Sequence, residues 1–512
     1  MPVSVSYPGV YIQEIDSGVR SIAGVPTSIT AFVGRARRGP VDEPVLIHGL
    51  GEFTRRFGGL WAEAPLGHAV AQYYQNGGVD AVIVRAYDPP PTGDGASSVT
   101  LPASGASALT LRAANPGKWG DRLVVTVKHD DADSTVFHLT IEELAPGPLV
   151  PTRPAVVASE RFVRLSHIAG SPRFVSDVLA AQSRLVRVTA PPSGRVDEAT
   201  DEQLQGGSDG DALTVSSIAD RTALEDAKRG LWALEKTDLF NLLVIPPLAP
   251  DVFPDKTTWD TAAAYAHDRR AILLVDPDPG WTEANSIDAA AVAAHAAPSE
   301  NAALYFPRID FADPLQENRP RPFPPAGAVA GVIARIDGER GLWKSPAGQE
   351  ATVAGAGRLG VHLTDRENGV LNPRAVNCLR SFPATGAVVW GARTLRGADA
   401  LADQWKYLSV RRTALYIEES LYRGTQWVVF EPNDEPLWSQ IRLSVGAFMN
   451  GLFRQGAFQG TTPAQAYYVK CDRDSNPQED IDRGIVNIFV GFAPLKPAEF
   501  VIVSIQQIRP AE

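Results

Sequence analysis

Residues 239–277 read LFNLLVIPPLAPDVFPDKTTWDTAAAYAHDRRAILLVDP. Two short aliphatic runs, LFNLLVIPP and AILLVDP, flank TWDTAAAYAHDRR, a stretch of helix formers about a dozen residues long. Runs so uniformly apolar fit strands buried on both faces, and a helix between two of them is a crossover that makes the strands parallel. The unit repeats downstream as an Ala-rich helix near 285–297, a strand AALYFPRI at 302–309 and a helix over 326–336. Another helix is expected near 222–235, before the first strand.

Upstream, SITAFVGRA at 28–36 has strand composition and ends in the breaker RRGP. In PLGHAVAQYYQNGG at 65–78, Leu66, Val70 and Tyr73 recur at helical spacing until Gly77 and Gly78 stop them. VDAVIVRAY at 79–87 is a second buried strand. Between about 95 and 205 the texture changes to alternating runs such as LVVTVKH, FHLTIEEL and SRLVRVTA, which predict a mainly β module inserted into the α/β frame.

The last hundred residues mix both kinds. ALYIEESLYRG predicts a helix ending at Gly424, and QWVVF a strand. EPNDEPLWSQIRLSVGAFMNGLFRQG predicts a helix with Asn433 or Asp434 as N-cap and Pro436 in its first turn. On it Leu437, Ile441, Val445, Phe448 and Leu452 step by three or four, giving one apolar face. IVNIFVGF and VIVSIQQI close the chain as two strands joined by the Pro-rich corner APLKPAEF. The other end, MPVSVSYPGVYIQEI, is equally strand-like, so both termini present apolar arms that need a partner.

At 512 residues the chain exceeds one core and points to about three domains. A net charge of -11 argues against nucleic acid as a partner, because phosphate binding needs clustered Lys and Arg. No run reaches the roughly 20 apolar residues of a membrane span, and no basic, then apolar, leader opens the sequence. Assembly in the cytoplasm is the expectation. With only Cys378 and Cys471, a disulfide framework or multi-cysteine zinc site is excluded, whereas a single bridge stays open.

Motifs that carry chemistry are poorly supported. GAGRLG at 355–360 fits the dinucleotide fingerprint GxGxxG, but QEATVA before it is a poor buried strand. GGSDG at 206–210 fits GxSxG, yet a polar stretch precedes it and a turn is the simpler reading. The eight histidines form no close pair with metal-ligand spacing, and no phosphate loop GxxxxGK[ST] occurs. Asp276 and Asp278 in DPDPG stand at a strand end, where α/β folds bind ligands, though Pro and Gly explain them as a turn. No catalytic residue, cofactor or metal site is expected.

The segment YLSVRRTALYIEESLYRGTQWVVFEPNDEPLWSQIRLSVGAFMNGLFRQGAFQGTTPAQAYYVKCD at 407–472, with GFAPLKPAEFVIVSIQQ at 491–507, closely resembles the C-terminal domain of contractile tail sheath proteins. YPGVYIQEI, TSITAFVGRARRGP and NGGVDAVIVRAY near the start also look like that family of phage tails and phage-tail-like injection systems. The resemblance implies an α/β and α+β multidomain protein: a core sheath domain built from both chain termini, an inserted mainly β domain and a βαβ-type middle region. The corresponding layout is an N-terminal linker arm at 1–20, core sheath domain at 21–90, inserted domain at 91–210, α/β middle domain at 211–395, C-terminal core at 396–498 and C-terminal linker arm at 499–512.

The resemblance also implies a helical homo-oligomer around an inner tube protein, with baseplate and terminator or cap proteins as further partners. Val5, Tyr7, Val10, Tyr11, Ile12 and Ile15, with Phe500, Val501, Ile502, Val503 and Ile505, would then link subunits by adding strands to neighbouring sheets. The helix carrying Trp438, Arg442, Met449 and Arg454 would face the inner tube. A non-contractile tube or baseplate component, or an α/β enzyme with an unrecognised site, are the alternatives.

Overall fold

The aliphatic run at the centre of the quoted stretch, Leu242–Val244, is buried on both faces because it lies in the middle of an eight-stranded sheet. In the computed structural model, which describes residues 20–147, 149 and 152–502, the sheet runs in the order 386–389, 376–382, 302–306, 272–275, 242–244, 30–34, 81–85 and 45–47. The six inner strands are parallel, joined by pairs such as Leu243 with Leu273 and Phe32 with Ile83. The two outer strands are antiparallel to their neighbours. Full burial of TAFVG, AVIVR, ILLV and AALYF accounts for their nearly continuous apolar composition, broken only by Thr30 and Arg85 at strand ends.

The crossover helix Lys256–Asp268 is capped by Asp255, whose carboxylate accepts the Thr258 N–H at 2.9 Å. Ala289–His295 is capped in the same way by Asp288. The expected helix near 222–235 is broken instead: one turn over Arg221–Leu224 is followed by a 3-10 segment Gly230–Lys236. Gly230 makes the break, with φ +55 and a position where a Cβ would fall 2.8 Å from the Ile218 carbonyl.

Residues 98–203 form two antiparallel sheets, of four strands (199–203, 123–129, 136–144, 156–166) and of three (98–101, 109–113, 186–190). Leu109, Leu111, Val125, Phe137, Leu139 and Ile141 belong to an apolar cluster of their own, which agrees with the alternation in the sequence. GAGRLG does not open a helix: Ala356–Leu359 is a strand paired antiparallel with Ile309–Asp313, so no helix N-terminus meets a phosphate there.

By contacts the chain divides into two units. Among the described residues one comprises 28–335 and 346–403; the other comprises 20–27, 336–345 and 404–502. This corrects the expectation that 21–90 joins the C-terminal core. Thr30–Gly34 and Ala81–Arg85 are interior strands of the large sheet, and only the stretch before Ser28 groups with the C-terminal block. A further correction concerns one strand: QWVVF is a 3-10 turn at Gln426–Val428. The strand expected over VIVSIQQI at 501–508 lies, but for its first two residues, outside the described residues. Cys378 and Cys471 are both buried free thiols, so no bridge joins them.

Candidate assembly surface

The terminal unit is organised by two helices, Leu408–Gly424 and Glu435–Arg454. Asp434 caps the second: its carboxylate accepts the Leu437 N–H at 3.2 Å, with Pro436 in the first turn. Asn433 locks the entry, accepting from Trp438 Nε1 at 2.9 Å and donating to the Ile485 carbonyl at 3.0 Å. The predicted apolar face then packs inward, with Leu437, Ile441, Val445 and Leu452 buried beside Met449 and Phe458.

Residues 20–27 are strapped along the first helix. Arg20 lies over the Trp427 ring at 4.7 Å, the Val25 N–H donates to Ser420 Oγ at 3.2 Å, and the Thr27 carbonyl accepts from Arg412 at 2.9 Å. Gly424 leaves room for Ile22, since a Cβ there would lie 2.5 Å from the Ile22 side chain. Arg412 also forms a buried two-pronged ion pair with Asp337, through Nη1 at 2.8 Å and Nη2 at 2.5 Å.

Tyr467–Lys470 and Phe489–Phe492 pair antiparallel, Tyr467 opposite Phe492 and Lys470 opposite Phe489. Among the described residues no third strand joins them. Two strands alone are marginal in water, and a strand edge is a template for another strand. Tyr468 and Phe489 on this ladder are exposed. Burial pushes the Cys471 thiol up, which marks it as a packing group at the ladder's end.

Beyond Glu499, whose carboxylate accepts from the Tyr407 hydroxyl at 3.2 Å, Phe500, Val501 and Ile502 are 73%, 81% and 89% exposed. Three consecutive large apolar side chains in water are unusual for a finished surface. Phe430 is wholly exposed beside exposed Val429, and its φ of +70 is strained for an aromatic residue.

Of the sequence-predicted arm residues, Phe500, Val501 and Ile502 stand out from the unit, whereas Val5, Tyr7, Val10, Tyr11, Ile12, Ile15, Val503 and Ile505 lie outside the described residues. Two of the residues expected to face the tube need correction. Trp438 and Met449 are buried in the core, because they share the helix face of Ile441 and Val445. Arg442 is engaged by Glu435 at 2.6 Å and by the Cys471 carbonyl. Arg454 is exposed, and the outward side of this helix is carried by Gln440, Leu443 and Ala447. The strap at 20–27, the open ladder and Phe430 were missed. An apolar run such as VVF beside EPND reads locally as a strand, and only the missing pairing partner makes it a turn.

The chain matches two family models, the phage tail sheath protein central domain over residues 225–395 and the phage tail sheath C-terminal domain over 402–508. It is similar to a tail sheath protein of Burkholderia phage BcepMu, 24% identical over 96% of this chain and 94% of the relative. Among solved structures, it superposes on a chain of the PVC sheath complex, an extracellular contractile injection system in its contracted state, with a TM-score of 0.59 and 22% identity over 99% of both chains. A sheath tail protein of Listeria innocua superposes with a TM-score of 0.60 and 14% identity, over 93% of this chain and 96% of the other.

Proposed function

This chain belongs to the phage tail sheath protein family, and from that premise we propose that it is the structural subunit of a helical contractile sheath, which surrounds an inner tube and drives it through a target envelope by shortening. The observation that supports the mechanism is a ladder of two strands among the described residues, together with the exposed apolar run Phe500, Val501 and Ile502. A strand from one copy laid on the ladder of the next gives a contact between different surfaces. Such contacts need not close and so generate a helix.

Five or six backbone hydrogen bonds at about 0.5–1.5 kcal/mol net each give a joint of several kcal/mol. That is enough to hold while the rest of each subunit swings to a new packing. Contraction then draws on the free-energy difference between two lattice packings, and small gains per subunit add along the particle. The subunit acts without catalysis. Its partners are further copies of itself, an inner tube protein, and baseplate and terminator proteins at the two ends of a phage tail or tail-like particle put together in the cytoplasm.

Deleting Met1–Ile15 tests the reading. The shortened chain is expected to stay folded and dispersed by sedimentation and to form no tubes by electron microscopy. Ordered tubes from it would remove the arm from the mechanism.

A further inference from the structure

The α/β unit holds a cavity of about 650 Å³ that plays no part in the assembly just described. It opens at the carboxyl ends of the parallel strands Leu242–Val244 and Ile272–Val275, the side of an open α/β sheet where ligands bind. Its walls are aromatic: Phe253, the buried Trp259, and Trp281, whose ring centroid lies 5.0 Å from that of His295.

At its base sits Asp276, 6% exposed. Oδ1 accepts the Ala326 N–H at 2.8 Å, and Oδ2 has no hydrogen-bond partner among the described residues. His295 Nε2–H donates to the Asp276 backbone carbonyl at 2.8 Å, while Nδ1 lies 4.0 Å from Asp278. Burial lowers the His295 pKa, which favours the neutral ring. Burial pushes the Asp276 carboxyl up to about 7.

The surrounding charges favour a positive guest. Asp255 and Asp278 line the cavity with Asp276, and both spend an oxygen on backbone N–H groups, of Thr258 and Gly280. Lys256 is taken by Asp260. Arg308 acts on both Asp276 and Asp278; its guanidinium rests on the face of Phe253 at 4.6 Å, its Nε and Nη2 have no hydrogen-bond partner among the described residues, and burial lowers its pKa. A buried carboxylate among tryptophan faces is the chemistry that recognises an organic cation, through charge and through the ring quadrupoles.

We propose that this cavity binds an organic cation, an ammonium or guanidinium group on a short apolar stem, with its charge at Asp276 and its stem against Trp259 and Trp281. Because the guest binds ionised Asp276, affinity falls about tenfold for each pH unit below 7 and levels off above it. The guest is either a free small molecule or a Lys or Arg side chain of a second copy.

Benzylammonium, benzyl alcohol and benzoate, titrated into the full-length protein by calorimetry at about pH 5 to 8, provide the test. Saturable binding of benzylammonium alone, strengthening with pH, is expected. Asp276→Asn keeps the acceptor for the Ala326 N–H and should weaken binding about tenfold or more and flatten the pH dependence. Trp281→Leu, at a half-buried wall, should weaken it severalfold. Binding to dispersed subunits but not to assembled particles assigns the site to a neighbour's basic side chain; equal binding to both assigns it to a free cation. Preference for benzoate, stronger binding in acid, or no saturable binding would overturn the proposal.

Discussion

The two sheets that matter most are finished to different degrees. In the α/β unit the six parallel strands are bounded on each side by an antiparallel strand, and nearly every apolar side chain of the interior strands is buried. In the terminal unit the ladder Tyr467–Lys470 with Phe489–Phe492 has two strands among the described residues, and Phe500, Val501 and Ile502 are exposed. The ladder carries spare apolar surface, and we propose that other copies complete it.

The largest expected effect tests that contrast directly. A chain ending at Glu499 should lose tube formation completely by electron microscopy, while keeping the melting profile of the dispersed subunit. Tubes from this variant would mean that the ladder is closed by something other than the C-terminal end. Next, Arg412→Ala should destabilise the terminal unit by about 3–5 kcal/mol in denaturant, because buried Asp337 would lose its counter-charge and residues 20–27 their tie. The Arg412→Met, Asp337→Leu double variant should recover most of the loss, which separates an unpaired charge from a packing defect.

In the α/β unit the sensitive group is Asp276. Its carboxyl is raised to about 7 in the folded state, so the folded protein holds this proton more tightly than the unfolded chain does. The contribution is fully present below the ordinary carboxylate range, about pH 4, and is lost as pH rises through 7. Asp276→Asn should therefore match the parent near pH 4 and exceed it by about 2–4 kcal/mol near pH 8, as read from denaturation midpoints. A parent protein whose stability rises across that interval would contradict the burial argument. The smallest effect is at Phe430. Glycine relieves the left-handed strain but adds freedom to the unfolded chain, so Phe430→Gly should stabilise the dispersed subunit by about 1 kcal/mol or less. If the exposed ring serves assembly, the same variant should raise the concentration needed for tubes.

The sequence by itself determined the parallel sheet, its helices at 256–268 and 289–295 and the mainly β module, because each rests on periodicity and burial that neighbouring residues share. The cap at Asp434 and the apolar face from Leu437 to Leu452 are equally local, and both are as the spacing predicts. It also carried the family resemblance, in long motifs such as VVFEPNDEPLW. Only the tertiary structure decided the rest. That Thr30–Gly34 and Ala81–Arg85 join the α/β sheet while residues 20–27 strap a helix of the terminal unit depends on pairings between distant residues. That QWVVF is a turn, that Trp438 and Met449 face inward, and that Asp276 is buried beside an open cavity follow from which neighbours were left to pair. A strand needs a partner and a buried charge needs its surroundings, and neither is written in the residue itself.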